Sequence, residues 1–128
     1  MVKFGGTMKR ILICDDQVEI REALGMLVEL EFEADIVFAK DGVECIDRMT
    51  IDSAFDLIIC DFNMPRANGD AVYDHNLKGH KSPFIFLSGD DCRRKVNPEK
   101  LTFFIPKPWP DGVLVETIKS VFEKGDAA

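Results

Sequence analysis

Apolar and polar positions in this chain follow two periods that alternate from end to end. Short apolar runs at residues 9–14, 34–38, 55–60, 84–87 and 101–105 have the length and makeup of buried strands. Between them the apolar residues recur about every 3.6 positions. Residues 18–31 place Ile20, Ala23, Leu24, Leu27 and Val28 on one helical stripe, with Leu30 at its edge, and Asp16 stands where it can cap that helix. An Asp41-Gly42 turn leads into a second helix over 43–49, with Ile46 and Met49 inward. A third is predicted over 70–77, and a last from 111 or 112 to 123 on Val115, Ile118, Val121 and Phe122. Residues 90–96 have room for one or two helical turns before Asn97 and Pro98 interrupt.

Five strands alternating with helical segments predict an α/β fold around a parallel sheet, with right-handed crossovers placing helices on both faces. The 128 residues fit one domain, and 46% hydrophobic content is enough for a core. Residues 1–8, with Gly5, Gly6 and Thr7, read as a flexible leader or tag, 9–124 as the domain, and 125–128 as a tail. The net charge of −7 argues against direct nucleic-acid binding, because phosphates would be repelled. No apolar run approaches the roughly 18 residues of a membrane span, and the first residues lack the apolar core of a secretory signal, so a cytoplasmic location is expected. The four cysteines show no zinc-type spacing; Cys14 and Cys60 read as small buried hydrophobes in a reducing compartment. His75 and His80 read as solvated.

The chemistry concentrates where strands end. Asp15 and Asp16 follow the first apolar run and Asp61 the third; Ser88 follows the fourth and Lys107 the fifth. In an open parallel sheet the C-terminal strand ends form the ligand-binding rim. Three carboxylates gathered there repel one another and call for a cation, and an all-oxygen set suits Mg²⁺. A carboxylate can also act as the nucleophile of phosphoryl transfer, with Lys107 as a point charge and the Ser88 hydroxyl as a hydrogen-bonding group.

These residues, in this order, resemble the receiver domain of two-component response regulators. The matching stretches are 11–16, 39–44, 57–65, 87–89 and 107–108, within residues 9–123. The resemblance implies a flavodoxin-like, doubly wound five-stranded sheet of order 2-1-3-4-5. It implies Asp61 as phosphoacceptor, and Mg²⁺ on Asp15, Asp16, Asp61 and the backbone carbonyl of Asn63. It implies Ser88 and Phe104 as switch residues, Lys107 as the lysine of the pattern, and a cis Lys107-Pro108 bond. Asn63 and Asp90 would tune dephosphorylation. The phosphoryl donor would be a histidine kinase or phosphotransfer protein. Self-phosphorylation from small phosphodonors and self-dephosphorylation are expected rather than conventional enzyme turnover.

The chain departs from the family pattern in short spacings from Asp61 to Ser88 and from Ser88 to Lys107, which predict shortened third and fourth helices. It is read as a single-domain regulator or an excised receiver, monomeric or weakly dimeric. Two alternatives compete with the signalling reading. One is a receiver-like interaction scaffold that is never phosphorylated. The other is an Asp-nucleophile phosphohydrolase of the haloacid-dehalogenase type, which requires a second Asp where this chain has Asn63.

Overall fold

Five parallel strands pair in the order β2-β1-β3-β4-β5. They are β1 (Phe4–Cys14), β2 (Phe32–Ala39), β3 (Leu57–Cys60), β4 (Phe84–Ser88) and β5 (Thr102–Pro106). Among the described residues four helices connect or follow them: α1 (Val18–Glu31), α2 (Gly42–Ile51), α3 (Gly69–Lys78) and α4 (Val113–Ala127). The computed structural model describes residues 4–52 and 54–127. The doubly wound order matches expectation. The predicted shortening is also present: α3 has 10 residues, and only two 3-10 turns, Arg93–Lys95 and Pro98–Lys100, separate β4 from β5.

The two-residue period of each strand sorts its side chains into two cores. On one face Ile11, Ile13, Leu57, Ile59, Ile85 and Leu87 meet α1 and α4 through Leu24, Val28, Leu114 and Ile118. On the other, Leu12, Cys14, Ile58, Cys60, Phe84 and Phe86 meet α2 and α3 through Cys45, Met49, Val72 and Tyr73. Because β1, β3 and β4 are covered on both sides, their sequences are near-continuous apolar runs. The second layer is rich in aromatics, with Phe84 and Phe86 ring centroids 4.7 Å apart and Tyr73 edge-on to Phe84 at 5.1 Å. The buried Tyr73 hydroxyl is satisfied by Thr102 Oγ1 at 2.9 Å.

Several local expectations are corrected. β1 begins at Phe4 rather than at the predicted Lys9; residues 1–3 lie outside the described ones. The pairing register with β2 shifts between Phe4 and Lys9. α4 runs to Ala127, through most of the expected tail. Asp16 does not cap α1: Gln17 holds that position without a side-chain cap bond, and Asp15 Oδ1 accepts from the Gln17 amide instead. Ala23 and Leu30 face solvent, because the sheet covers only the narrower stripe centred on Leu24 and Val28. In α2 the fully buried position is Cys45, and Cys14 is joined to it in a disulfide rather than standing as an inert thiol.

Two glycines let the loop after β3 lie close against its neighbours. A Cβ on Gly42 would stand 2.0 Å from the Ala67 carbonyl oxygen, and one on Gly69 would stand 2.4 Å from the Asp61 carbonyl oxygen. Both obstacles are backbone, which cannot swing aside as a side chain can. Gly42→Ala is therefore expected to lose about 1–3 kcal/mol of stability by overpacking. Urea denaturation against the parent chain measures it, and an unchanged midpoint would refute the close approach.

Candidate functional site

The β2-β1-β3 order makes β1 and β3 neighbours, in register with Cys14 opposite Cys60. The next residue on each strand is an aspartate, so Asp15 and Asp61 emerge side by side. The Asp61 amide donates to the Cys14 carbonyl at 2.9 Å, which continues the ladder past the strand ends. Asp15 and Asp61 are buried, whereas Asp16 is exposed. A carboxylate oxygen from each of the three lies within 4.8 Å of one from each of the others. Hard oxygen donors at that spacing fit a divalent cation of the Mg²⁺ class.

Lys107 comes from beyond β5, on the far side of β4. Its amide is held by the Ser88 carbonyl at 2.9 Å, and the Lys107-Pro108 bond is cis, as the resemblance implied. The ammonium reaches across to Asp15 Oδ2 at 2.5 Å and Asp61 Oδ2 at 3.0 Å. Burial pushes the Asp15 carboxyl above its ordinary value, and the hydrogen bonds from Lys107 and the Gln17 amide offset only part of that. For Lys107, burial pulls the other way, but the bonds and charges of Asp15 and Asp61 together outweigh it and hold the ammonium above its ordinary value. Arg21 anchors the same corner, donating from Nη1 to the Asp15 carbonyl at 2.8 Å.

Ser88 is buried at the end of β4, and its Oγ accepts from the Asp90 amide at 3.1 Å. That leaves the hydroxyl hydrogen available to donate. Asn63 and Asp90 are brought together: the Asn63 amide donates to Asp90 Oδ2, spanning the mouth from the loop after β3 to the loop after β4. Phe104 is half-buried against the aromatic layer, opposite Phe86 in the sheet, while Phe103 packs on the other face.

Two features escaped the sequence reading. Asp41, read as part of a turn, is buried; it caps α2 by accepting from the Glu44 amide at 2.8 Å and accepts from Arg66 Nη1 at 3.3 Å. The loop after β3 is thereby tied to the start of α2. The sequence signal was present, since Asp before a helix with Glu three residues on is a capping-box pattern. The basic turn Arg93–Lys95 makes side-chain contacts although Arg93 and Arg94 are exposed. Arg93 pairs with Asp91, Arg94 stacks 5.6 Å from the Phe62 ring, and Lys95 pairs with Asp70. Nothing local in the sequence joins Arg94 to Phe62 or Lys95 to Asp70.

Comparison with known proteins places this geometry. The sequence model of the family described as response regulator receiver domain matches residues 11–119. The transcriptional regulatory protein CpxR of Escherichia coli (strain K12) is 30% identical over 120 residues, 91% of this chain and 50% of that protein. The transcriptional activator protein IrlR of Burkholderia pseudomallei (strain 1026b) is 31% identical over 122 residues, 92% of this chain and 52% of its own length. The chain thus spans about half the length of these relatives. Among solved structures, the signal receiver domain of an HD domain-containing protein from Pseudomonas fluorescens Pf-5 superposes with a TM-score of 0.83. At 20% identity it covers 95% of this chain and 100% of its own, and it speaks for the fold alone. The response regulator TrrA of Thermotoga maritima, solved in complex with Mg²⁺-BeF, is 28% identical with a TM-score of 0.77 over 89% of this chain and 99% of its own.

The electrostatics predict a pH signature for the metal-free protein. Lys107 contributes stability that is complete below its ordinary value of 10.5 and fades as pH rises through its higher folded value. Asp15 acts oppositely to a paired surface acid: the native state holds its proton more tightly than the unfolded chain, so its contribution falls as pH rises from 3.8 through the folded value. Lys107→Met strips the shared cation from two buried acids. In EDTA at neutral pH it is expected to cost on the order of 1–3 kcal/mol, with the deficit shrinking as pH falls and Asp15 takes up its proton. Urea titrations across pH check both statements, and a deficit independent of pH would refute them.

Proposed function

The chain belongs to the response regulator receiver domain family, and from that premise we propose that Asp61 is its phosphoacceptor. The observation that carries this reading is the convergence of Asp15, Asp16 and Asp61 within 4.8 Å, with the Lys107 ammonium on both buried acids. The donor is a histidine kinase or phosphotransfer protein bearing a phosphohistidine, and the setting is the cytoplasm. The chain acts as monomer or weak homodimer and makes no direct contact with nucleic acid.

Asp61 attacks phosphorus through a carboxylate oxygen; the phosphorus–nitrogen bond breaks, and the imidazole keeps the electron pair and takes up a proton. Asp15, Asp16, Asp61 and the Asn63 carbonyl would hold Mg²⁺, which supplies positive charge against the phosphoryl oxygens. Lys107 is poised to exchange its Asp61 contact for a phosphoryl oxygen while keeping Asp15. Ser88 donates its free hydroxyl hydrogen to another. Capture of that hydroxyl draws in the end of β4, beside which Phe104 packs, and the two report the phosphorylated state. The Asn63–Asp90 bridge lies over the mouth and can orient a water for hydrolysis.

Intact-mass measurement after acetyl phosphate and Mg²⁺ tests the assignment. The parent is expected to gain the mass of one phosphoryl group and Asp61→Asn none; an equal gain in both, or none in the parent, would sink it. Sustained turnover of an added phosphomonoester would favour the phosphohydrolase instead. Losing one hydrogen bond to the attacking water is worth about 1 kcal/mol, or roughly fivefold in rate. Asn63→Met with Asp90→Leu should therefore lengthen the phosphoryl lifetime at least about that much. Decay as fast as in the parent would remove these two residues from the mechanism.

A further inference from the structure

Directly behind the acid pocket lies a second cluster of reactive groups that phosphoryl transfer does not use. Cys14 ends β1 and Cys60 ends β3, opposite one another in the sheet. Cys45, in α2, lies over both, and the three sulfurs stand within 4.8 Å of one another. All three side chains are buried, at 1%, 0% and 0% exposure. Cys14 and Cys45 form a disulfide with Cα atoms 6.2 Å apart, within the range such bridges span. Cys60 remains a free thiol beside it.

We propose that Cys14, Cys45 and Cys60 form a reversible thiol–disulfide site that takes oxidising equivalents from hydrogen peroxide. The Cys45 sulfur attacks a peroxide oxygen, the O–O bond breaks, and the departing hydroxide leaves as water with the thiol proton. The Cys14 sulfur then attacks the Cys45 sulfenic acid; the S–S bond forms, the S–O bond breaks and a second water leaves. Two thiols lose two electrons, and one peroxide becomes two waters. Cys60 can next attack Cys45, releasing Cys14 with its proton, so the crosslink can move between β1 and β3 without further oxidation. A disulfide in a reducing compartment is ordinarily transient and redox-sensing rather than structural.

The position of the bridge decides what it does. Two thiols must stand at van der Waals distance, so reduction moves α2 off β1 or turns a side chain in a packed layer. α2 carries Asp41, which holds Arg66, and Gly42, which lies against Ala67. The crosslink therefore steadies the loop that follows Asp61. With no sulfur facing solvent, oxidation waits for α2 to open, and its rate should level off as peroxide is raised.

The test is independent of phosphorylation. The full chain is reduced with dithiothreitol, exposed to hydrogen peroxide, then denatured, alkylated and mapped. The expected product carries two alkyl groups and a peptide linking Cys14 to Cys45, and dithiothreitol returns it to four. Cys14→Ala should redirect the link to Cys45–Cys60, and Cys60→Ala should retain Cys14–Cys45. Backbone hydrogen exchange over residues 42–51 and 61–68 should be slower in the oxidised form. Four alkylated cysteines after prolonged exposure would overturn the proposal. So would links through Cys92 or between chains, sulfinic acids without a link, or identical exchange in the two forms.

Discussion

The Lys107 ammonium held between Asp15 and Asp61 is the interaction on which the site depends. Two carboxylates emerge side by side because their strands are neighbours, and at about 4 Å like charges repel by roughly 1 kcal/mol in water and more where water is scarce. A cation delivered from beyond β5 relieves that repulsion and joins three strand ends across the width of β4. The lysine lies close enough to both acids to hold them together.

Behind this charged rim the layer is buried and closely packed. Phe84, Phe86 and Tyr73 stack beneath it, Cys14 and Cys45 are joined, and the loop carrying Asn63 passes over glycines with no room for a side chain. The contrast is functional: the acids need fixed positions to converge, and fixed positions come from side chains that cannot move without opening the core. The region normally given to a fourth helix is reduced to two single turns, yet it stays attached through Arg94 on Phe62 and Lys95 on Asp70. A segment resting on Phe62, the residue after Asp61, is well placed to feel a change there.

The strands and the candidate acids were legible because buried parallel strands write themselves as unbroken apolar runs, and a charge at the end of such a run stands out; the strand order came with the family resemblance. Boundaries were less legible. Phe4 to Met8 is not an apolar run, and Leu30 keeps the helical period while lying outside the stripe the sheet covers. Asp16 has a residue type suited to capping α1, but Asp15 takes the local amide and Asp16 stays in solvent. Residue type and position alone could not arbitrate between the two.

By itself, the sequence determined which residues could do chemistry and at which strand ends they lie, since hydrophobic periodicity and residue type are local properties. It also carried the family resemblance that names Asp61, Lys107 and Ser88 together. Only the tertiary structure decided which groups meet. Lys107 is separated from Asp15 by 92 positions and from Asp61 by 46, and its bonds to both exist because the sheet sets β1, β3 and β4 in sequence and the residues after β5 fold back over them. The Cys14–Cys45 link, the Asp41–Arg66 tie and the Asn63–Asp90 bridge have the same origin. Each joins positions that no local pattern relates, and each is fixed by packing.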